Sequence, residues 1–231
     1  MSAFALTWQP GEIVILTDGL CWENRTGRII SRTNEKIIAS TKHVSVISLG
    51  ISEPIANDEL RNSINQSTNT DPHKIASMVG EHLRRTAPVW EKAIKEQGSK
   101  EPLMYFYFIV GFNSSGKAEA YYIKRFNGTP EHYFYTPHNF DLELNSICSL
   151  AYDGNYSKLF TEHVKNKMKN KTKSKSNYLQ EVMIGAFESY LEALHKKGKM
   201  VGGDIFVTTL YPDSKPTKSV LNGKIQPKNP Q

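Results

Sequence analysis

The chain has 231 residues, 39% of them apolar and 23% charged, with a formal net charge of +6 at pH 7. That length suits one large domain or two small ones around a substantial core, and that composition excludes a disordered polymer. No apolar run approaches the ~18 residues that a membrane span requires and no charged-then-apolar leader opens the chain, so a cytoplasmic protein without membrane association is expected.

Cys21 and Cys148 form neither a disulfide framework nor a metal-ligand spacing. Free thiols, no metal and no cofactor are therefore expected.

The first fifty residues read as all-β. AFALTW and EIVILTD are rich in β-branched and aromatic residues, and Gln9-Pro10-Gly11 between them signals a hairpin turn. Asn24-Arg25-Thr26-Gly27 marks a second turn, after which GRIISRT, KIIAS and HVSVISLG supply further short strands.

Helical signals replace strands from about Glu53 to Gly98. Asp71 before Pro72 is a strong start, because aspartate caps free N–H groups and proline is tolerated at the first helical position. Ile75, Val79, Leu83, Trp90 and Ile94 then recur on one face. Pro88 is expected to kink or split this helix, and Gly98 to end it.

LMYFYFIVGF follows, nearly continuous in apolar and aromatic residues, as in a strand covered on both faces. Ser114-Ser115-Gly116 turns the chain into KAEAYYIKRF, and HYFYT is expected as a third strand. Two helices are expected next, around Ser146–Lys165 and Asn177–Lys196. In the second, Leu179, Val182, Met183, Ala186, Phe187, Tyr190, Leu191 and Leu194 form a wide buried stripe. GDIFVTTLY is one more strand, and the segment from Pro212 is expected to be irregular. The expectation is thus a single domain over residues 1–211 with a tail over 212–231.

Strands, two helices, strands, two helices and a strand pack most economically as two sheets face to face with helices outside each. That is an α+β protein arranged as a four-layer αββα sandwich.

Much of the positive charge lies in VKNKMKNKTKSKS, where Lys165, Lys167, Lys169, Lys171, Lys173 and Lys175 alternate with other residues. The run lacks the aromatics and arginines of a base-reading surface, so a solvated loop between two helices is the expected reading. Docking on nucleic acid or an acidic partner is the weaker alternative, and it predicts binding that falls steeply with salt.

Four positions carry a resemblance to a known family. Ser2 opens the first strand once Met1 is removed, and Asp18 ends the second strand sixteen residues later. Lys36 follows in SRTNEKIIAS, and Gly50 closes ISLG fourteen residues beyond it. This set resembles the proteasome β-subunit group of N-terminal nucleophile hydrolases, including its bacterial relatives. Members of that group begin, after processing, with Thr, Ser or Cys and carry Asp, Lys and Gly at comparable separations. The Asp18–Lys36 interval is two residues longer than is usual in the group, which a longer hairpin tip between Trp22 and Gly27 absorbs.

The resemblance implies the αββα fold, an amide or peptide substrate and a homo-oligomer, since relatives assemble into rings. It makes Ser2 the nucleophile, with its own α-amine as base. A free amine titrates near neutrality, at about 7.7–8.0, so it can accept the hydroxyl proton. A Lys36 ammonium nearby would keep that amine neutral, with a repulsion on the order of 4 kcal/mol at ~4 Å and an effective dielectric of ~20. Asp18 would hold Lys36 and compensate its burial, and Gly50 N–H would face the oxyanion.

Family members also carry a Ser beside a Gly-Gly pair and an Asp further on. Here the pair is Gly202-Gly203 in GKMVGGDIFV, with Gly198 and Val201 upstream and Asp204 just beyond. Ser149 in SICSLAYDG, or Ser146, is the candidate for the missing support. Thr7, Thr17 and Cys21 offer no better nucleophile, because none becomes N-terminal without longer processing.

Taken singly, the four have ordinary readings: a residue exposed by methionine excision, an Asp-Gly turn, a surface lysine and a strand-end glycine. Together they favour an amide hydrolase. The competing reading is a proteasome-like scaffold or binding protein without catalysis, which Gly198 and Val201 favour.

Overall fold

Strands and helices occupy separate stretches of the chain, which gives an α+β fold with antiparallel sheets. A computed structural model describes residues 3–9, 11–22, 28–50, 54–68, 71–96, 105–125, 135–140, 147–148, 160–162, 164, 166 and 178–227. Its first strands are β1 (Phe4–Gln9), β2 (Glu12–Asp18), β3 (Cys21–Trp22), β4 (Ile29–Ser31), β5 (Ile37–Ser40) and β6 (Val44–Gly50). Helices α1 (Pro54–Gln66) and α2 (Pro72–Glu96) follow, then β7 (Tyr105–Phe112), β8 (Ala118–Arg125), β9 (His138–Phe140) and β10 (Ile147–Cys148). Helix α3 (Tyr178–Lys196) and strands β11 (Ile205–Leu210) and β12 (Thr217–Leu221) complete the set. The chain divides into two units: Met1–Lys36, Glu143–Thr209 and Thr217–Gln231 form one, Ile37–Leu142 and Leu210–Pro216 the other.

In the first unit the sheet order is β10-β1-β2-β11-β12, and β3 pairs β4 as a separate ribbon. The β1–β2 hairpin runs in unbroken antiparallel register from Phe4↔Thr17 to Gln9↔Glu12. One face of this sheet carries Ala3, Ala5, Val14, Leu16, Ile205 and Val207, which pack with the apolar stripe of α3. That stripe buries Leu179, Met183, Ala186, Phe187, Tyr190, Leu191 and Leu194, as its spacing predicts. Each large side chain buried in this way contributes about 1.5–3 kcal/mol of transfer free energy. The other face is no less apolar, because Phe4, Leu6, Ile13 and Ile15 are also fully buried.

Helix α3 stops where its carbonyls find new partners. Gly198 takes a left-handed φ of 73°, and the N–H groups of Lys197 and Lys199 both donate to Leu194 O at 3.1 Å. Glycine reaches that conformation without a Cβ clash.

The second unit is a meander, β5-β6-β7-β8-β9, with α1 and α2 on one face. Val44, Val46, Tyr105, Tyr107, Ile109 and Ile123 meet Leu60, Ile64, Ile75, Val79, Leu83 and Trp90 there. Asp71 caps α2 as expected, its Oδ1 accepting the Lys74 N–H at 3.1 Å. On the sheet's opposite face runs an aromatic row, with Phe106 stacked on Phe108 and on Tyr122 at 6.1 Å each, and Tyr122 on His138 at 5.3 Å.

Of the two outcomes expected at Pro88, splitting does not occur, since α2 continues through it to Glu96. Pro88 lies on the exposed face, as does Arg84, whose carbonyl loses its helical donor to the ring and can turn to water. HYFYT is not a strand where it is described: Tyr135 sits in a turn at φ 64°, and β9 begins only at His138, where pairing with β8 becomes available. The helix expected around Ser146–Lys165 does not begin at its expected start, since Ile147–Cys148 form β10 against Leu6 and Thr7 of β1, whereas residues 160–162, 164 and 166 are helical as expected. Finally, the segment after Pro212 is not wholly irregular, because Thr217–Leu221 pair with β11 from Thr209 to Ile205. Gly98, the Asn24–Gly27 turn and the lysines of the Lys165–Lys175 run lie outside the described residues.

Arg125 of β8 clasps Glu91 of α2 with both arms, Nη1 to Oε2 at 2.8 Å and Nη2 to Oε1 at 3.0 Å. These bonds hold the Glu91 carboxyl below the usual glutamate range. A depressed folded value means the contribution is present above the usual glutamate pKa of about 4.3 and is lost as pH falls through the folded value. Glu91→Gln should therefore cost about 1–2 kcal/mol at pH 7 in denaturant titrations and nearly nothing at acid pH.

Candidate functional site

The site is assembled at the end of the β1–β2 hairpin. Beyond the last ladder pair, Asp18 N–H donates to Ala3 O at 3.1 Å, and the Asp18 side chain closes the same ring in reverse. Its Oδ1 accepts the Ala3 N–H at 2.8 Å. Ala3 follows Ser2 directly, so this carboxylate fixes the first peptide unit after the expected nucleophile. Ser2 itself, Ser146 and Ser149 lie outside the described residues.

The second oxygen, Oδ2, accepts the Gly202 N–H at 3.2 Å. Asp18 has no exposed surface, so these donors replace water around it. Burial pushes its carboxyl above the usual aspartate range, opposed by the Lys36 charge and then by the Ala3 and Gly202 donors. Burial wins, because a desolvated carboxylate loses more from water than a neighbouring charge and two amides return.

Lys36 is buried, with 6% of its surface exposed, and its Nζ donates to Leu20 O at 2.7 Å. The ammonium is therefore held by a backbone carbonyl rather than by a direct salt bridge to Asp18, which acts on it through space. Sequence expects the carboxylate to grip the lysine. In the fold Asp18 grips the chain start and the Gly202 loop, and Lys36 is anchored two residues past Asp18.

Gly50 ends β6 in the second unit, opposite Tyr105, with a left-handed φ of 91°. Val201 is fully buried among the α3 residues. Gly198 serves as the α3 cap.

Two partners escaped sequence reasoning. Leu20 acts only through its carbonyl, which no side-chain pattern reveals. Gly202 was visible as half of a Gly-Gly pair, but its bond to Asp18 spans 184 residues. Cys21 is a free thiol. Among the described residues no group of His, Cys, Asp and Glu could hold a metal ion, and no helix is long and apolar enough to cross a membrane.

The chain matches no protein-family model and, by sequence, no curated protein.

Proposed function

We propose that this protein is an N-terminal nucleophile amide hydrolase or peptidase, built as a four-layer αββα sandwich and using Ser2 after Met1 is removed. The observation that carries the reading is a buried carboxylate, Asp18, bonded to the Ala3 amide that immediately follows Ser2, with the buried Lys36 ammonium near enough to act on that carboxylate through space. A surface lysine and an Asp-Gly turn would need neither burial nor those partners.

In the proposed reaction the α-amine of Ser2 takes the hydroxyl proton as Oγ attacks the amide carbonyl. The resulting ammonium passes that proton to the leaving amine as the tetrahedral intermediate collapses. Water, deprotonated by the same amine, then releases the acid and restores Ser2. Lys36 keeps the amine neutral by charge repulsion, and Asp18 orients the terminus. The role of oxyanion donor falls to Gly50 on the resemblance alone, as does assembly into a homo-oligomer.

Intact-mass spectrometry of the native protein incubated with an epoxyketone probe tests the reading. Loss of Met1 with one probe added at Ser2 is expected. Retained Met1, or a processed chain that takes no probe, overturns it. Lys36→Met, which keeps the side chain's length without its charge, should slow capture by roughly 10²-fold and move its pH dependence upward, because the amine then holds its proton more tightly. Unchanged capture would remove Lys36 from the mechanism.

The second reading is a proteasome-like scaffold without catalysis. Val201, buried and without a hydroxyl beside the Gly-Gly pair, favours it, and a retained Met1 would select it.

A further inference from the structure

The hydrogen bonds that begin at Asp18 do not stop at Gly202. Gly203 N–H donates to Ile225 O at 2.8 Å, and Asp204 N–H donates to Arg32 O at 2.8 Å. Arg32 then reaches the end of the described chain with its side chain, Nε and Nη2 both donating to Pro227 O at 3.1 and 2.7 Å. One residue thus holds the Gly202–Asp204 loop by its main chain and the C-terminal segment by its guanidinium.

The packing leaves no slack. A Cβ on Gly19 would lie 2.3 Å from Arg32 O, and one on Gly203 would lie 2.4 Å from the same atom. A Cβ on Gly202 would lie 2.5 Å from Ile225 O, and one on Gly223 would lie 2.1 Å from Gly203 O. Gly19 and Gly203 therefore let their backbones close on the Arg32 carbonyl, and Gly202 and Gly223 let the Gly202–Asp204 loop and the C-terminal segment close on each other. Gly202 and Gly203 also take left-handed φ values of 127° and 76°, so this loop keeps its shape only while its neighbours enforce it.

We propose that Arg32 is a positioning residue for the Ser2 site, clamping the C-terminal segment at Ile225–Pro227 behind Gly202–Gly203 so that Gly202 N–H stays on Asp18. Asp18 in turn keeps Ala3, and with it the chain start, in one place. The positioning role rests on the reading of Ser2 as nucleophile, whereas the clamp does not. An arginine serving only solubility would face water or a carboxylate. This one directs two N–H groups at a single carbonyl 195 residues away, where a charge-assisted bond is stronger than a neutral one.

The full chain, Arg32→Ala, Arg32→Lys and a chain ending at Lys224 should be compared by amide hydrogen exchange and by epoxyketone capture across pH. Arg32→Ala should speed exchange at Gly202, Gly203 and Ala3 by about tenfold and slow capture by about tenfold, with a displaced pH profile. Arg32→Lys should recover part of both, and the shortened chain, which loses the Pro227 acceptor of Arg32 and also the Ile225 acceptor of the Gly203 N–H, should speed exchange at least as much as Arg32→Ala. Native exchange at Gly202 and Ala3 in both disruptive variants overturns the proposal. So does native capture with an undisplaced pH profile despite faster exchange. If the wild-type chain takes no probe, the Ser2 reading falls by itself, and exchange at Gly202 and Ala3 still decides whether Arg32 positions the chain start. Should Arg32→Ala fail to fold, the shortened chain carries the same comparison.

Discussion

Ser2→Ala should lower covalent capture by the epoxyketone probe by roughly 10³-fold or more, to background. Alanine leaves the α-amine and the peptide to Ala3 in place and removes the one atom that forms the bond to the carbonyl. Ser2→Thr keeps a hydroxyl at the same carbon and should retain capture at a reduced rate. Intact mass and peptide mapping separate the outcomes: probe that survives on Ser2→Ala belongs to another residue, and the nucleophile assignment then fails.

Asp18→Ala should destabilise the protein by about 3 kcal/mol in denaturant titrations at pH 7. Three changes compete. The buried Ala3 and Gly202 N–H groups lose their acceptor. Lys36 loses the nearby negative charge that compensates its burial. Against these, the cost of a desolvated carboxylate disappears. The first two dominate, because an orphaned buried donor costs about 1–3 kcal/mol and an uncompensated buried charge costs more. Asp18→Asn keeps one acceptor but turns an NH2 toward one of the donors, so its loss should be smaller.

The pH dependence gives an independent reading. The Asp18 carboxyl is raised in the folded state, so the folded chain binds more protons than the unfolded one between the two values. Its contribution is complete below the usual aspartate pKa of about 3.9 and declines as pH rises through the raised folded value. Asp18→Asn should remove that decline from the curve of stability against pH. A curve of unchanged slope would place the titration on another group.

Local patterns were legible in the sequence wherever one element's own residues decide its form. The β1–β2 hairpin follows from two β-rich runs around a turn dipeptide, the α2 start from Asp71-Pro72, and the α3 stripe from its 3.6-residue spacing. Misreadings fell where a distant partner decides. Ile147–Cys148 become a strand only because β1 offers an open edge, and Thr217–Leu221 only because β11 does.

The candidate site divides in the same way. Ser2, Asp18, Lys36 and Gly50 could be picked out only because their order and separations resemble those of the N-terminal nucleophile hydrolases. What each residue touches was decided by the tertiary structure. The Asp18 oxygens found Ala3 and Gly202, the Lys36 ammonium found the Leu20 carbonyl, and Arg32 found Pro227. A side-chain alphabet records which groups can ionise or donate, but backbone amides and carbonyls are the same at every position. Only folding selects which of them stand within hydrogen-bonding distance of a buried charge.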